Sequence, residues 1–161
     1  MKLKTNDQIP DTEIYHLVNG EPQKSKLRRI LSKDKIILFG LPGAFTSTCS
    51  KIHLPGFVSN AAAIKAKGVE EIFCISVNDP YVMQAWGEAN TIGDKIKMLS
   101  DPYLSFTKAI GAEVDRSSRG MGIRSSRYSM VIENFEVVSI QVEKETKQCE
   151  LSSAESILDK L

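Results

Sequence analysis

The chain has 161 residues, of which 42% are apolar and 25% are charged, a composition typical of one globular domain with its own core. Its 21 Lys and Arg residues nearly balance its 20 Asp and Glu residues, so the net charge of +1 argues against nucleic acid or an anionic membrane as partner. No apolar run could span a membrane and no secretory signal is evident, so we expect a cytoplasmic protein unless an organelle leader has been removed.

The first part of the chain alternates apolar runs with turn and helix signals. In chain order, we predict a strand over 14–18, a tight turn at Asn19-Gly20, one or two helical turns over 25–31, a buried strand over 35–39 and a helix over 46–67. Pro55 should kink or break that helix near its middle, and Gly68 should end it.

The second part continues the alternation and then changes to a hairpin. We predict a strand over 71–77, a helix from Asp79-Pro80 to 90, a strand over 96–99, a helix from Asp101-Pro102 to 111, strands over 128–132 and 137–142, and a helix over 152–161 capped by Ser152. This order predicts an α/β fold with a central mixed sheet flanked by helices, and a thioredoxin-like arrangement fits it. We expect residues 1–161 to form a single domain.

The segment most informative about chemistry is 40–50, where a buried strand leads into a helix. Sites of α/β sheets lie at the carboxyl ends of parallel strands, which is where this segment falls. If the helix begins near Thr46 or Thr48, Cys49 lies in its first turn, where unpaired N–H groups and the helix dipole favour a thiolate. Such placement lowers a cysteine pKa from ~8.5 into the range of ~3.5–7.5.

Two further groups would make Cys49 reactive toward a peroxide. Thr46 lies three residues before it, on the same helix face, where a hydroxyl could donate to the thiolate and accept from a hydroperoxide. A guanidinium would stabilise both the thiolate and the developing charge on the leaving oxygen. Spacing alone does not choose among the candidates Arg116, Arg119, Arg124 and Arg127.

Other interpretations of the same residues remain to be weighed. A free cysteine is commonly a small buried apolar residue. His53, four residues after Cys49, would suggest a Cys-His nucleophile pair, but a packing histidine is the favoured interpretation. The sequence has no Cys-x-x-Cys pair, no zinc-ligand spacing and no glycine-rich phosphate loop.

A resemblance to a known family narrows these choices. Pro42-x-x-x-Thr46-x-x-Cys49 matches the active-site motif of the peroxiredoxins. The chain is similar to their type II, or atypical two-cysteine, subfamily in these segments, which run in the same order to the C-terminus: 41–46, 49–57, 65–69, Ser76-Val77-Asn78-Asp79-Pro80, Trp86-Gly87 and Arg127-Tyr128-Ser129-Met130-Val131.

The resemblance implies a thioredoxin-like fold, no cofactor and a thiol peroxidase acting on hydrogen peroxide and organic hydroperoxides. It places the peroxidatic cysteine at Cys49, its threonine at Thr46, a shielding proline at Pro42 and the arginine at Arg127, with Arg124 as a second frequent arginine. It implies a cysteine sulfenic acid intermediate and glutathione with glutaredoxin, or thioredoxin, as reductant. Relatives commonly form homodimers. A peroxide sensor that relays oxidation to a partner protein is the alternative function.

The identity of the resolving thiol stays open. Cys74 lies 25 residues after Cys49 (74 − 49), a spacing seen in type II members, but it falls in a buried strand where a thiol is usually inert. Cys149 lies in a polar stretch and resembles the resolving cysteine of the atypical members. The sequence therefore favours Cys149 over Cys74, and it leaves open whether either cysteine or an external thiol resolves the sulfenic acid.

Overall fold

A computed structural model describes all residues, 1–161. The strands are β1 Glu13–Val18, β2 Glu21–Lys26, β3 Lys35–Gly40, β4 Glu71–Ser76, β5 Lys97–Ser100, β6 Glu113–Asp115, β7 Ile123–Ser125, β8 Tyr128–Glu133 and β9 Glu136–Val142. The helices are α1 Leu27–Ile30, a π turn Cys49–His53, α2 Leu54–Ala66, α3 Pro80–Ala89, α4 Ser105–Ala109, a 3₁₀ turn Ser117–Arg119 and α5 Ala154–Leu158. None of these helices has the length and apolar character needed to cross a bilayer.

Seven strands form one mixed sheet in the order β2-β1-β5-β4-β3-β8-β9, and β6 pairs only with β7. The central strands β3, β4 and β5 are parallel, whereas β1, β8 and β9 join them in antiparallel pairs. The prediction of an α/β fold with a central mixed sheet is therefore confirmed. The parallel strands point their carboxyl ends to one edge, where the loop before Cys49 begins.

Both faces of the sheet are buried, and the alternation of side chains along each strand builds two cores. In β3, Ile37 and Phe39 face one core, whereas Ile36 and Leu38 face the other. The first core is closed by α2, α3 and α5, and it contains Cys49. Helices α1 and α4 contribute to the second core. Burial on both faces explains why the central strands are nearly continuous apolar runs.

The predicted interruption of the helix near Pro55 takes the form of the π turn that precedes it. The N–H of Leu54 donates to the carbonyl of Cys49, five residues earlier, instead of four. Proline cannot donate a hydrogen bond to the residue four positions earlier and crowds its carbonyl, and a widened turn relieves both problems. Gly68, with φ of +87°, ends the helix as expected.

Two predicted helix starts are wrong, and in each case a polar side chain explains the shift. The fourth helix begins at Ser105, not at Asp101-Pro102, although Asp101 still accepts from the N–H groups of Phe106 and Thr107. The last helix is capped by Ser153, which accepts from Ser156 N–H, because Ser152 is buried in other hydrogen bonds.

The short strands β2, β6 and β7 were not predicted, since they carry little apolar alternation. The polar strand β2 covers residues assigned in part to the helix over 25–31. It forms because Asn19 and Gly20, both with positive φ, fold the chain back onto β1.

We predict that Gly40→Ala lowers the free energy of unfolding by ~3 kcal/mol, because an added Cβ would overlap the buried ring of Tyr128 on the neighbouring strand. Gly56→Ala is the matched control. Gly56 lies in α2 with open space around its Cα, so alanine should raise the free energy of unfolding by ~0.5–1 kcal/mol. Urea unfolding of both variants measures the difference, and equal effects would contradict this account.

Candidate active site

The loop after β3 is held in place by the loop after β4. The N–H of Ala44 donates to Asn78 Oδ1 at 2.9 Å, and Asn78 Oδ1 also accepts from Ser76 Oγ at 2.7 Å. Gly43 allows this close approach, since a Cβ there would lie 2.8 Å from Arg124 Nη1 and 3.2 Å from Asn78 Oδ1. The two parallel strands thus fix the path of the chain into the helix that carries Cys49.

Cys49 lies in the first helical turn, as the sequence predicts. The chain is helical from Ser47, and the N–H of Ser50 donates to the carbonyl of Thr46 at 2.9 Å. The preceding N–H groups are therefore not used within the helix and leave a positive end beside the sulfur. Cys49 is 0% exposed, and its neighbour Ser50 accepts from the indole of Trp86 at 2.9 Å, which fixes the turn against α3.

Among the four candidate arginines, the structure brings Arg127 to the sulfur. Its Nη2 donates to Cys49 Sγ at 3.3 Å, and its side chain is 1% exposed in total. Nε and Nη2 also donate to the carbonyl of Thr146, at 3.2 and 2.8 Å. No carboxylate forms an ion pair with Arg127. A buried guanidinium without a carboxylate partner keeps its full positive charge, and the Cys49 sulfur lies next to that charge.

His53 holds Arg127 from the other side. Its Nδ1 lies 3.0 Å from Arg127 Nη1, and its Nε2 lies 3.0 Å from the carbonyl of Ser152. A neutral ring satisfies both contacts, with Nδ1 accepting from the arginine and Nε2 donating to the carbonyl. Burial and then the Arg127 charge lower the pKa of His53 to about 3. His53 therefore positions the arginine, which agrees with the packing interpretation and not with a Cys-His nucleophile pair.

Neither Thr46 nor Pro42 bonds to the Cys49 sulfur, although both line the pocket together with Arg127. The hydroxyl of Thr46 donates to the carbonyl of Gly43 at 2.7 Å, so its proton is not directed at Cys49 in this structure. Its oxygen retains lone pairs with which to accept from a substrate. Arg124 contacts the loop instead of the sulfur, since its Nη1 donates weakly to the carbonyl of Pro42 at 3.4 Å.

The segment 143–152 wraps over this arrangement and was not identified from the sequence. Buried Glu143 accepts through Oε1 from the N–H groups of Glu150 and Ser152, at 2.7 and 2.8 Å, and from the Ser152 hydroxyl at 2.9 Å. Thr48 Oγ1 donates to the carbonyl of Lys147 at 3.2 Å. These bonds fix the carbonyls that bind Arg127 and His53. A single glutamate after a strand carries no sequence signal for this role.

The two candidate resolving cysteines differ in their surroundings, and all three thiols are free. Cys74 is fully buried in β4, where burial raises the pKa of its thiol well above the usual value. Cys149 is half-buried in the segment over the active site, and burial raises the pKa of its thiol to about 11, against the opposing effect of Arg127. Cys149 is therefore the more accessible of the two.

A pocket of about 490 Å³ leads to this group of residues. Pro42, Thr46 and Arg127 are among its lining residues, and Arg127 also contacts the buried sulfur, so the pocket lies next to the site although Cys49 is not part of its lining. Of its 15 lining residues only Pro42, Val114 and Met121 are apolar, and seven are charged. A pocket with this many charged side chains suits small hydrated substrates better than a large apolar ligand.

Comparisons with known proteins show the family of the chain. The Redoxin family model matches residues 4–158. Peroxiredoxin-2C of Oryza sativa subsp. japonica is 41% identical over 161 residues, which cover 99% of this chain and 98% of the relative. The crystal structure of reduced Prx3 of Vibrio vulnificus in complex with hydrogen peroxide is 41% identical, has a TM-score of 0.92 and covers 98% of each chain. The chain belongs to the type II peroxiredoxins. It is therefore a thiol peroxidase with the thioredoxin-like fold predicted above.

One similar structure carries a different description. A Burkholderia cenocepacia protein described as a candidate thioredoxin reductase is 39% identical, with a TM-score of 0.94 and coverage of 100% of this chain and 99% of that one. This chain has no Cys-x-x-Cys pair, the motif of thioredoxin-like dithiol sites. The peroxiredoxin assignment rests on the family model and the named relatives.

We predict that His53 makes folding stability depend on pH. Its folded pKa of about 3 lies below the unfolded value near 6.5, so its contribution is complete above 6.5 and is lost as the pH falls toward 3. Between pH 7 and 5 the loss should be ~2 kcal/mol. Urea unfolding of His53→Asn should show a smaller loss. His16→Asn is the control and should retain most of the wild-type loss, whereas the wild-type slope in His53→Asn would contradict the assignment.

Proposed function

We propose that Cys49 is the peroxidatic cysteine and that Arg127 is the group that activates it. The single observation that supports this is the 3.3 Å contact between the Arg127 Nη2 donor and the Cys49 sulfur, in a place where no carboxylate competes. The helix start adds a second positive field, and both act on the charged form of the thiol.

The proposed reaction begins with attack of the Cys49 thiolate on the terminal oxygen of a hydroperoxide. An S–O bond forms as the O–O bond breaks, and the leaving oxygen takes a proton from water and departs as water or an alcohol. Arg127 stabilises the charge that develops on that oxygen. Cys49 becomes a sulfenic acid. The oxygen of Thr46 accepts from the hydroperoxide O–H, and Pro42 shields the sulfur from water.

The sulfenic acid then condenses with a thiol, which forms an S–S bond and releases water, and a second thiol reduces that disulfide. We propose Cys149 as the resolving thiol, with glutathione and glutaredoxin or thioredoxin as the external reductant. Its place in the segment over the active site supports this choice. The raised pKa of the Cys149 thiol opposes this role as long as segment 143–152 stays closed over the active site. Resolution therefore requires that segment to open.

We also propose that the 161 residues act as one domain and as a homodimer. Large apolar side chains near the active-site loop are exposed, among them Phe45 at 61%, Ile52 at 53% and Tyr81 at 56%. Phe45 has φ of +61°, a conformation that costs energy for this residue type, and most of its surface remains in solvent. A second copy covering these side chains would bury them.

We also propose that the protein is located in the cytoplasm. Three free cysteines, none in a disulfide, fit a reducing compartment. Chloroplastic relatives exist, such as Peroxiredoxin-2E-2 of Oryza sativa, of which this chain covers 72%.

We predict that Arg127→Gln lowers the second-order rate constant for hydrogen peroxide by ~10²–10³-fold, because one charged donor to the developing oxyanion is lost. Cys49→Ser should abolish the reaction. Arg124→Gln is the matched control, since Arg124 bonds to the loop and not to the sulfur, and its loss should be far smaller. Stopped-flow measurement with thermal melts separates rate from folding. An Arg127→Gln rate within threefold of wild type would refute the role of Arg127.

We predict that one equivalent of peroxide gives a Cys49–Cys149 disulfide, seen by intact-mass and peptide mass spectrometry as the loss of two hydrogens. Cys149→Ser should instead stop at the Cys49 sulfenic acid or at an adduct with an added thiol. Cys74→Ser is the control and should behave as wild type, because Cys74 is buried in β4. A sulfenic acid that persists in the wild type would assign resolution to an external thiol.

A further inference from the structure

The pocket leading to Cys49 carries far more positive charge than the protein as a whole. Five cationic side chains and two carboxylates line it, whereas the entire chain has a net charge of +1. The cationic side chains of the lining are those of Arg116, Arg119, Arg127, Lys144 and Lys147. The proposed chemistry uses Arg127 alone, so the other four are not explained by it.

The two carboxylates of the pocket neutralise little of this charge. Glu145 pairs with Lys147 at 2.9 Å, which leaves both satisfied. Glu143 directs Oε1 at the backbone of segment 143–152 and forms no ion pair with any of the cations. Arg116, Arg119 and Lys144 therefore remain as cations without an acidic partner around the same opening.

The backbone fixes the two arginines in place. They lie in the connection between β6 and β7, where the N–H of Arg116 donates to the carbonyl of Gly122 at 2.8 Å and the N–H of Arg119 donates to the carbonyl of Arg116 at 2.9 Å. The β6–β7 pair is separate from the main sheet, and its loop reaches the pocket opposite segment 143–152. These backbone bonds fix the points from which the two arginine side chains extend.

One polar group on the pocket wall also lacks a partner. Ser126 lines the pocket, and its Oγ is buried without any hydrogen bond. A buried hydroxyl without a partner is costly. Its oxygen has no exposed surface, so it meets a bound molecule only after the side chain turns toward the pocket, and the charges carry the proposal.

We propose that Arg116, Arg119 and Lys144 form a carboxylate-binding rim, which favours small substrates that carry a carboxylate together with the reacting group. The inference rests on the peroxidase function proposed above, since the reacting group is placed at Cys49. The carboxylate belongs either to an organic hydroperoxide in the oxidising step or to a thiol in the reducing step. Arginine suits this role because its planar donors match a carboxylate.

The test uses matched pairs that differ only in charge. For oxidation, the pair is 3-hydroperoxy-3-methylbutanoate and its methyl ester. For reduction of the oxidised enzyme, the pair is 3-mercaptopropionate and its methyl ester. The readout is the ratio of the acid to the ester second-order rate constant, measured by stopped flow for wild type and for the double variant Arg116→Gln/Arg119→Gln.

We predict that the acid-to-ester ratio of the wild type exceeds that of the double variant by ~5-fold at low salt, in oxidation, in reduction or in both. The difference between the two ratios should shrink at about 0.5 M salt, because salt screens exposed charges. A change confined to oxidation assigns the rim to hydroperoxides, and one confined to reduction assigns it to thiols. The control Lys33→Gln/Lys160→Gln removes the same charge far from the pocket and should keep the wild-type ratio.

The proposal would be overturned if the wild type and the double variant gave equal acid-to-ester ratios in both steps. It would also be overturned if Lys33→Gln/Lys160→Gln lowered the ratio as much as the double variant does. Failure of the peroxidase function itself has a different signature. In that case the wild type would react slowly with the neutral ester and with hydrogen peroxide, whatever the ratios.

Discussion

A buried guanidinium beside a sulfur is the contact on which the rest of the site depends. Arg127 is almost wholly removed from water, and the interior offers it no carboxylate. Neutral acceptors, the carbonyl of Thr146 and the ring of His53, satisfy its other donors without cancelling its charge. The positive charge is therefore left for the Cys49 sulfur and for the oxygen that leaves during reaction.

The two neutral partners of Arg127, the ring of His53 and the carbonyl of Thr146, are themselves kept in position by neighbouring residues. His53 packs edge-on against Phe39 at 5.0 Å between ring centroids, and Phe39 stacks on Phe57 at 4.1 Å. The carbonyl of Thr146 stays in place because Glu143 ties both ends of segment 143–152 together. Opening of that segment would remove the carbonyl of Thr146 from Arg127 and expose Cys149, so the proposed activating and resolving groups share the same covering segment.

The charge arrangement extends outward from the sulfur in layers. In the roles proposed above, Arg127 acts on the reacting atoms and the outer cations act on an approaching substrate or thiol. Salt screens exposed charges far more than buried ones, so we expect the two effects to differ in their salt dependence. Chemistry and recognition would then be separated by depth in one pocket.

Local sequence determined the alternation of strands and helices, the position of Cys49 in a first helical turn and the break before Pro55, because each depends on neighbours in the chain. The resemblance to the family placed the active-site arginine at Arg127, whereas spacing alone left four arginines open. Only the tertiary structure decided which guanidinium reaches the sulfur, that His53 positions it, and that Glu143 holds the covering segment. The contact between His53 and Arg127 joins residues 74 positions apart in the chain, and the contact between His53 and Ser152 joins residues 99 positions apart. No local sequence pattern encodes contacts at such separations.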